Sequence, residues 1–76
     1  MEDSDVNNLD EERVYKVLNE VYIALSEKGY DPISQIKGYI ISGDLGYISN
    51  YKKCRNKISK LNRSELVEVL LKCYLK

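Results

Sequence analysis

The chain has no histidine, threonine, tryptophan or phenylalanine, a single proline, and two cysteines in 76 residues. Each shortage excludes something. Without histidine the commonest general acid and base of catalysis is missing, and no serine has the usual activating partner of a triad. A structural zinc site needs about four Cys or His ligands; Cys54 and Cys73 are too few and too far apart for a C-x-x-C pair. No metal or cofactor is expected. One disulfide between Cys54 and Cys73 is one reading of the pair; two reduced core thiols is the reading the helical pattern favours. No apolar run approaches the about 20 residues of a bilayer span. The first residues lack the basic stretch and apolar run of a secretory leader, so a cytoplasmic protein is expected. Gly43-Asp44-Leu45-Gly46 lacks the lysine and spacing of a phosphate-binding loop. The carboxylates sit in the first residues or at helix caps, where capping and solvation account for them. The chain is therefore expected not to be an enzyme.

Charge is abundant but unevenly placed. Twelve bases balance twelve acids, and six of those acids (Glu2, Asp3, Asp5, Asp10, Glu11, Glu12) precede the first base, Arg13. Residues 1–9 are polar, acidic and aperiodic, which reads as a disordered tail. Residues 10–76 read as one helical domain. Asn8 and Glu11 have capping-box spacing. Val14, Val17, Leu18, Val21 and Leu25 then recur at helical spacing, and Gly29 supplies a left-handed stop. Asp31-Pro32 opens a second helix with Ile33, Ile36 and Ile40 as its buried face and Gly43 at its end. Gly38 inside it costs about 1 kcal/mol relative to alanine, which points to a close backbone approach. Asp44 to Ile48 reads as a tight or single helical turn. Ser49 or Asn50 caps a third helix with Tyr51, Cys54, Ile58 and Leu61 on one side, and Asn62 with Glu65 opens the last. No segment alternates with period two, so no sheet is expected.

The fold expectation is all-α: a compact bundle of four main helices plus a short helical turn, homodimeric, with a flexible acidic N-terminal tail. Pairing follows from the last helix. Leu66, Val67, Val69, Leu70, Leu71, Cys73, Tyr74 and Leu75 cover about two-thirds of its circumference, more than a few short helices can bury. Leu66, Leu70, Leu71 and Tyr74 are the candidate dimer contacts.

Two clusters invite functional readings. Lys52, Lys53, Lys57, Lys60 and Arg63 share the face opposite the apolar stripe of the third helix. That face is a solvated surface, a phosphate-binding track for nucleic acid, or a dock for the acidic tail. Arg55 lies at the stripe's edge, where a carbonyl or carboxylate can hold its planar fork. The seven tyrosines give half-buried rings with polar tips, suited to packing or to interfaces.

Val21-Tyr22, Ala24-Leu25, Glu27-Lys28-Gly29-Tyr30, Pro32-Ile33, Gln35-Ile36, Gly38-Tyr39, Ser42-Gly43-Asp44, Tyr47-Ile48, Arg55-Asn56, Glu65-Leu66 and Tyr74-Leu75 resemble the IreB family of small regulatory phosphoproteins of Gram-positive bacteria. The likeness runs over residues 14–75 without gaps. It implies a homodimeric helical regulator whose N-terminal tail is phosphorylated on threonine by a cell-wall-sensing Ser/Thr kinase and dephosphorylated by a partner phosphatase. It further implies tuning of peptidoglycan synthesis and antibiotic tolerance, linked to Clp-dependent turnover of a cell-wall precursor enzyme. This chain has no threonine, and Ser4 is the one hydroxyl before the first helix. Leu45 stands where the family usually has proline, Lys37 where it has valine, and Asp31 and Ser34 where it has asparagines. Tyr30, Gln35, Tyr39, Asp44, Tyr47 and Arg55 are the candidate partner groove. A nucleic-acid-binding module using residues 50–63 is the alternative, against which zero net charge and the acidic segment weigh.

Overall fold

A computed structural model describes the backbone of residues 2–75 and the side chains of residues 11–75. Four α-helices follow in order: α1 (Glu2–Lys28), α2 (Pro32–Ser42), α3 (Cys54–Ser59) and α4 (Arg63–Leu75). Two single 3-10 turns, Leu45–Tyr47 and Tyr51–Lys53, lie between α2 and α3. No strand occurs among the described residues.

The long helix α1 supplies one wall of the core. Val14, Val21 and Leu25 are fully buried and Ala24 nearly so, with Val17 and Leu18 packed at the margin. Its start differs from the expectation: the helix runs from Glu2, so the Asn8 and Glu11 pair lies inside it rather than at its cap. Its end is as expected. Gly29 sits at φ 92°, and the Tyr30 N–H donates back to the Leu25 carbonyl at 2.9 Å.

Local chemistry also accounts for α2. The Asp31 carboxylate accepts the Ser34 N–H at 3.3 Å, Pro32 occupies the first turn, and Gly43 closes the helix at φ 77°. The inward side chain of α2 is Tyr39, 6% exposed, whereas Ile36 and Ile40 are half-buried and Ile33 is 65% exposed. Of the expected stripe, Ile36 and Ile40 pack against the edge of the core while also lining a surface groove, and Ile33 stands outside the core. Gly38 meets the expected close approach: a Cβ there would lie 2.5 Å from Cδ1 of Tyr47.

The third helix is shorter than the sequence pattern implies. Lys52 and Lys53 adopt left-handed backbone angles, φ 53° and 62°, which break the run and delay α3 to Cys54. The left-handed conformation costs roughly 1–2 kcal/mol for each L-residue. The break lets Ile48 and Cys54, on either side of it, both reach zero exposure, with Tyr51 half-buried between them. Ile58 and Leu61 continue that buried face. Asn62 caps α4, its Oδ1 accepting the N–H groups of Ser64 at 2.8 Å and Glu65 at 3.3 Å. Helix α4 contributes Leu66 and Val69 to the core.

Candidate functional site

Two features stand out on this framework, a tied loop on one side and an apolar groove on another. The loop is residues 43–50. Asp44 accepts the Gly46 N–H at 2.8 Å and caps the first 3-10 turn. Gln35 reaches from α2 to the hydroxyl and the N–H of Ser49: its side-chain amide donates to Ser49 Oγ at 3.1 Å and its Oε1 accepts the Ser49 N–H at 2.9 Å. Arg55 Nε donates to the Ile48 carbonyl at 2.7 Å, as expected of a fork held at the stripe's edge. Asn50 accepts the Arg55 N–H at 3.2 Å instead of capping the turn that follows it. Tyr47 lies over Gly38 with half its ring exposed.

The six candidate groove residues therefore play different parts. Gln35, Asp44 and Arg55 hold the loop through bonds within the chain. Tyr39 is buried in the core and presents no surface to a partner. Tyr30 and Tyr47 are exposed and free to make outside contacts. The four candidate dimer contacts divide in the same way. Leu66 is fully buried by its own chain, while Leu70, Leu71 and Tyr74 are exposed, Tyr74 to 87%. The side chain of Ser4 lies outside the described residues.

The groove lies between α1, α2 and α4. It encloses about 450 Å³, walled by Leu18, Tyr22, Ile33, Ile36, Ile40 and Leu70. Lys37 and Asn19 complete its lining. Of the residues singled out for sites, Leu70 alone lines it. The isoleucines of α2 carry the signal: their spacing marks an apolar face, of which Ile36 and Ile40 reach the edge of the core and Ile33 does not.

The basic face is broken up. Lys52 pairs with Glu27 at 2.8 Å and Lys57 with Glu20 at 3.7 Å, so α1 carboxylates neutralise part of it. Arg63 turns away and donates to the Ile40 carbonyl at 2.9 Å. The Lys52 hydrogen bond and charge hold the Glu27 carboxyl below the usual glutamate range, and Glu27 in turn raises Lys52. The cysteines are unpaired and unalike. Cys54 is buried and its thiol is pushed up by burial, whereas Cys73 is exposed, with Sγ 3.1 Å from the Tyr15 hydroxyl. The expectation of two core thiols therefore fails for Cys73, because α4 turns that side outward.

Among the described residues no three His, Cys, Asp or Glu side chains converge to hold a metal ion, and no helix is long and apolar enough to cross a membrane. Comparison with known families matches residues 2–76 to the IreB regulatory phosphoproteins. The chain belongs to that family. The assignment makes this IreB-family chain a regulatory protein, one that acts through other proteins. The match spans the residues that carry the resemblance, from Val21 to Leu75.

Proposed function

We propose that this regulator is a homodimeric, non-enzymatic adaptor of the cytoplasm. The apolar groove between α1, α2 and α4 carries the reading. Apolar surface of this kind on so small a chain marks a contact site, and Ile33, Leu70, Leu71 and Tyr74 remain outside the chain's own core. A second copy covers this face, and the exposed Tyr30 and Tyr47 beside the tied loop meet a different protein. Family membership supports the further reading: a substrate of a cell-wall-sensing Ser/Thr kinase and its phosphatase, acting on Clp protease components or a cell-wall precursor enzyme.

Ser4 is the proposed phosphoacceptor. It lies in the first turn of α1, where a phosphate carrying about −1.5 to −2 charge favours the positive end of the helix. Phosphorylation then firms the acidic end of α1. Incubation with the cognate kinase followed by mass spectrometry tests the site: phosphate on Ser4 is expected, and its absence ends the switch while leaving the adaptor in place. A pull-down from source cells, with and without residues 1–9, tests the adaptor. Recovery of a kinase, protease component or cell-wall enzyme is expected, and recovery of nucleic acid alone contradicts it.

A further inference from the structure

The end of α4 carries Leu71, Tyr74 and Leu75, each more than half exposed, and helix geometry places them on one side. Their spacing, i, i+3 and i+4, is that of an apolar helix stripe that lies in a groove of another molecule. A groove adjoins it. Leu70, next in the chain before the stripe and 40% exposed, lines the cleft between α1, α2 and α4. Each subunit thus offers a stripe and a groove side by side.

The two match in length and in chemistry. At about 1.5 Å per residue the α2 wall from Ile33 to Ile40 is roughly 10 Å long, and the stripe from Leu71 to Leu75 roughly 6 Å. The wall is apolar through Ile33, Ile36 and Ile40. Lys37 and Asn19 stand exposed in the same lining, and Lys37 pairs with no carboxylate among the described residues. A tyrosine that enters such a groove buries its ring and needs a hydrogen-bond partner for its hydroxyl. The Lys37 ammonium and the Asn19 amide supply one.

We propose that α4 of a second copy occupies the groove, with Leu71, Tyr74 and Leu75 as its anchors, and that the contact is reciprocal. It rests on the pairing proposed above and names the element each copy contributes. The subunit's own stripe cannot enter its own groove, because α4 runs unbroken to Leu75 and is itself one of the walls. A foreign helix fills the groove but leaves the stripe in water. A second copy turned about a two-fold axis beside Leu70 covers both at once, since what one subunit presents the other receives.

A pair built this way holds two equivalent stripe-in-groove contacts, which a mixing experiment separates. Leu71→Ala with Tyr74→Ala removes the anchors and leaves the groove intact. Ile33→Glu puts a charge in the groove wall and leaves the stripe intact. The three positions are exposed, so both variants are expected to keep the natural circular dichroism. Self-association is read by fluorescence anisotropy, one copy labelled at its N-terminus and titrated with unlabelled chain. Each variant with itself loses both contacts and is expected to associate about a hundredfold more weakly than the natural chain. A mixture of the two variants keeps one whole stripe in one whole groove, and its loss is expected to be about tenfold.

Disulfide trapping gives a second reading in chains that all carry Cys73→Ser. A Tyr74→Cys chain mixed with an Ile33→Cys chain is expected to yield mixed covalent pairs on mild oxidation, because the contact brings the two positions within bridging distance. A mixture that associates no more tightly than the better of the two variants, or an absence of mixed covalent pairs, overturns the proposal. The outcome for the natural chain separates this contact from the pairing beneath it. A natural chain that does not self-associate removes both. A natural chain that pairs, and pairs as tightly once Leu71 and Tyr74 are alanine, removes the stripe-in-groove contact alone.

Discussion

The two cysteines show how far position on a helix separates like residues. Cys54 is sealed among core side chains and its thiol is raised by burial, so little thiolate forms. Cys73, three residues beyond Leu70 on the outward part of α4, is exposed, with its Sγ 3.1 Å from the Tyr15 hydroxyl of α1. A thiol reagent added to the folded protein is expected to label Cys73 within minutes and Cys54 only as the chain unfolds. Equal labelling rates, read by mass spectrometry, contradict this burial. Gly38 carries a second residue-scale prediction. An alanine gains about 1 kcal/mol of helix propensity but drives its Cβ into the base of the Tyr47 ring, where Cγ would stand at 2.9 Å. The ring cannot yield at that end without moving the loop that Gln35 and Asp44 hold. Gly38→Ala is expected to destabilise by about 1–2 kcal/mol net, seen as a lower thermal midpoint. A midpoint equal to or above that of the natural chain contradicts the close contact.

Among the elements, what was legible in the sequence is what local chemistry decides. Asp31, Pro32 and Gly43 bound α2 where their side-chain and backbone preferences put the ends. Asn62 opens α4 by accepting two N–H groups, so Asn62→Ala is expected to cost about 1 kcal/mol in denaturant melts. What was not legible depends on tertiary packing. Nothing in Tyr51-Lys52-Lys53 announces a left-handed break, because lysine favours helix; the burial of Ile48 and Cys54 on either side imposes it. The isoleucines of α2 showed an apolar face but not whether it turns to the core or to a groove, which depends on where α4 lies. Tyr39 and Leu66 have the chemistry of contact residues, yet both lie in the core. The junction of α1 with the 3-10 turn also carries a pH dependence. Glu27 is held below its usual range by Lys52, so the pair's stabilisation is present at neutral pH. It fades as the pH falls below the ordinary glutamate range and through the depressed value of the folded state. Glu27→Gln is expected to flatten the acid limb of the melting-temperature profile slightly; an unchanged limb contradicts the linkage.

For the whole molecule, the deciding fact is how much apolar surface one subunit leaves uncovered. The core is short: Val14, Val21, Leu25, Ile48, Cys54, Ile58 and Leu66 are its fully buried side chains. Small chains of this size are marginal when alone. Outside that core Ile33, Ile41, Leu71, Tyr74 and Leu75 are each more than half exposed. A subunit built this way ties its loop through Gln35 and Arg55 and keeps apolar helix faces exposed, the surface on which the proposed pairing rests. The most direct test of that account is sedimentation equilibrium of the natural chain beside Ile33→Glu with Leu70→Glu. The expected result is a mass near twice the 8.8 kDa of one chain for the natural protein and a single-chain mass for the helical double variant. A natural chain that sediments at micromolar concentration as a folded single subunit would contradict it.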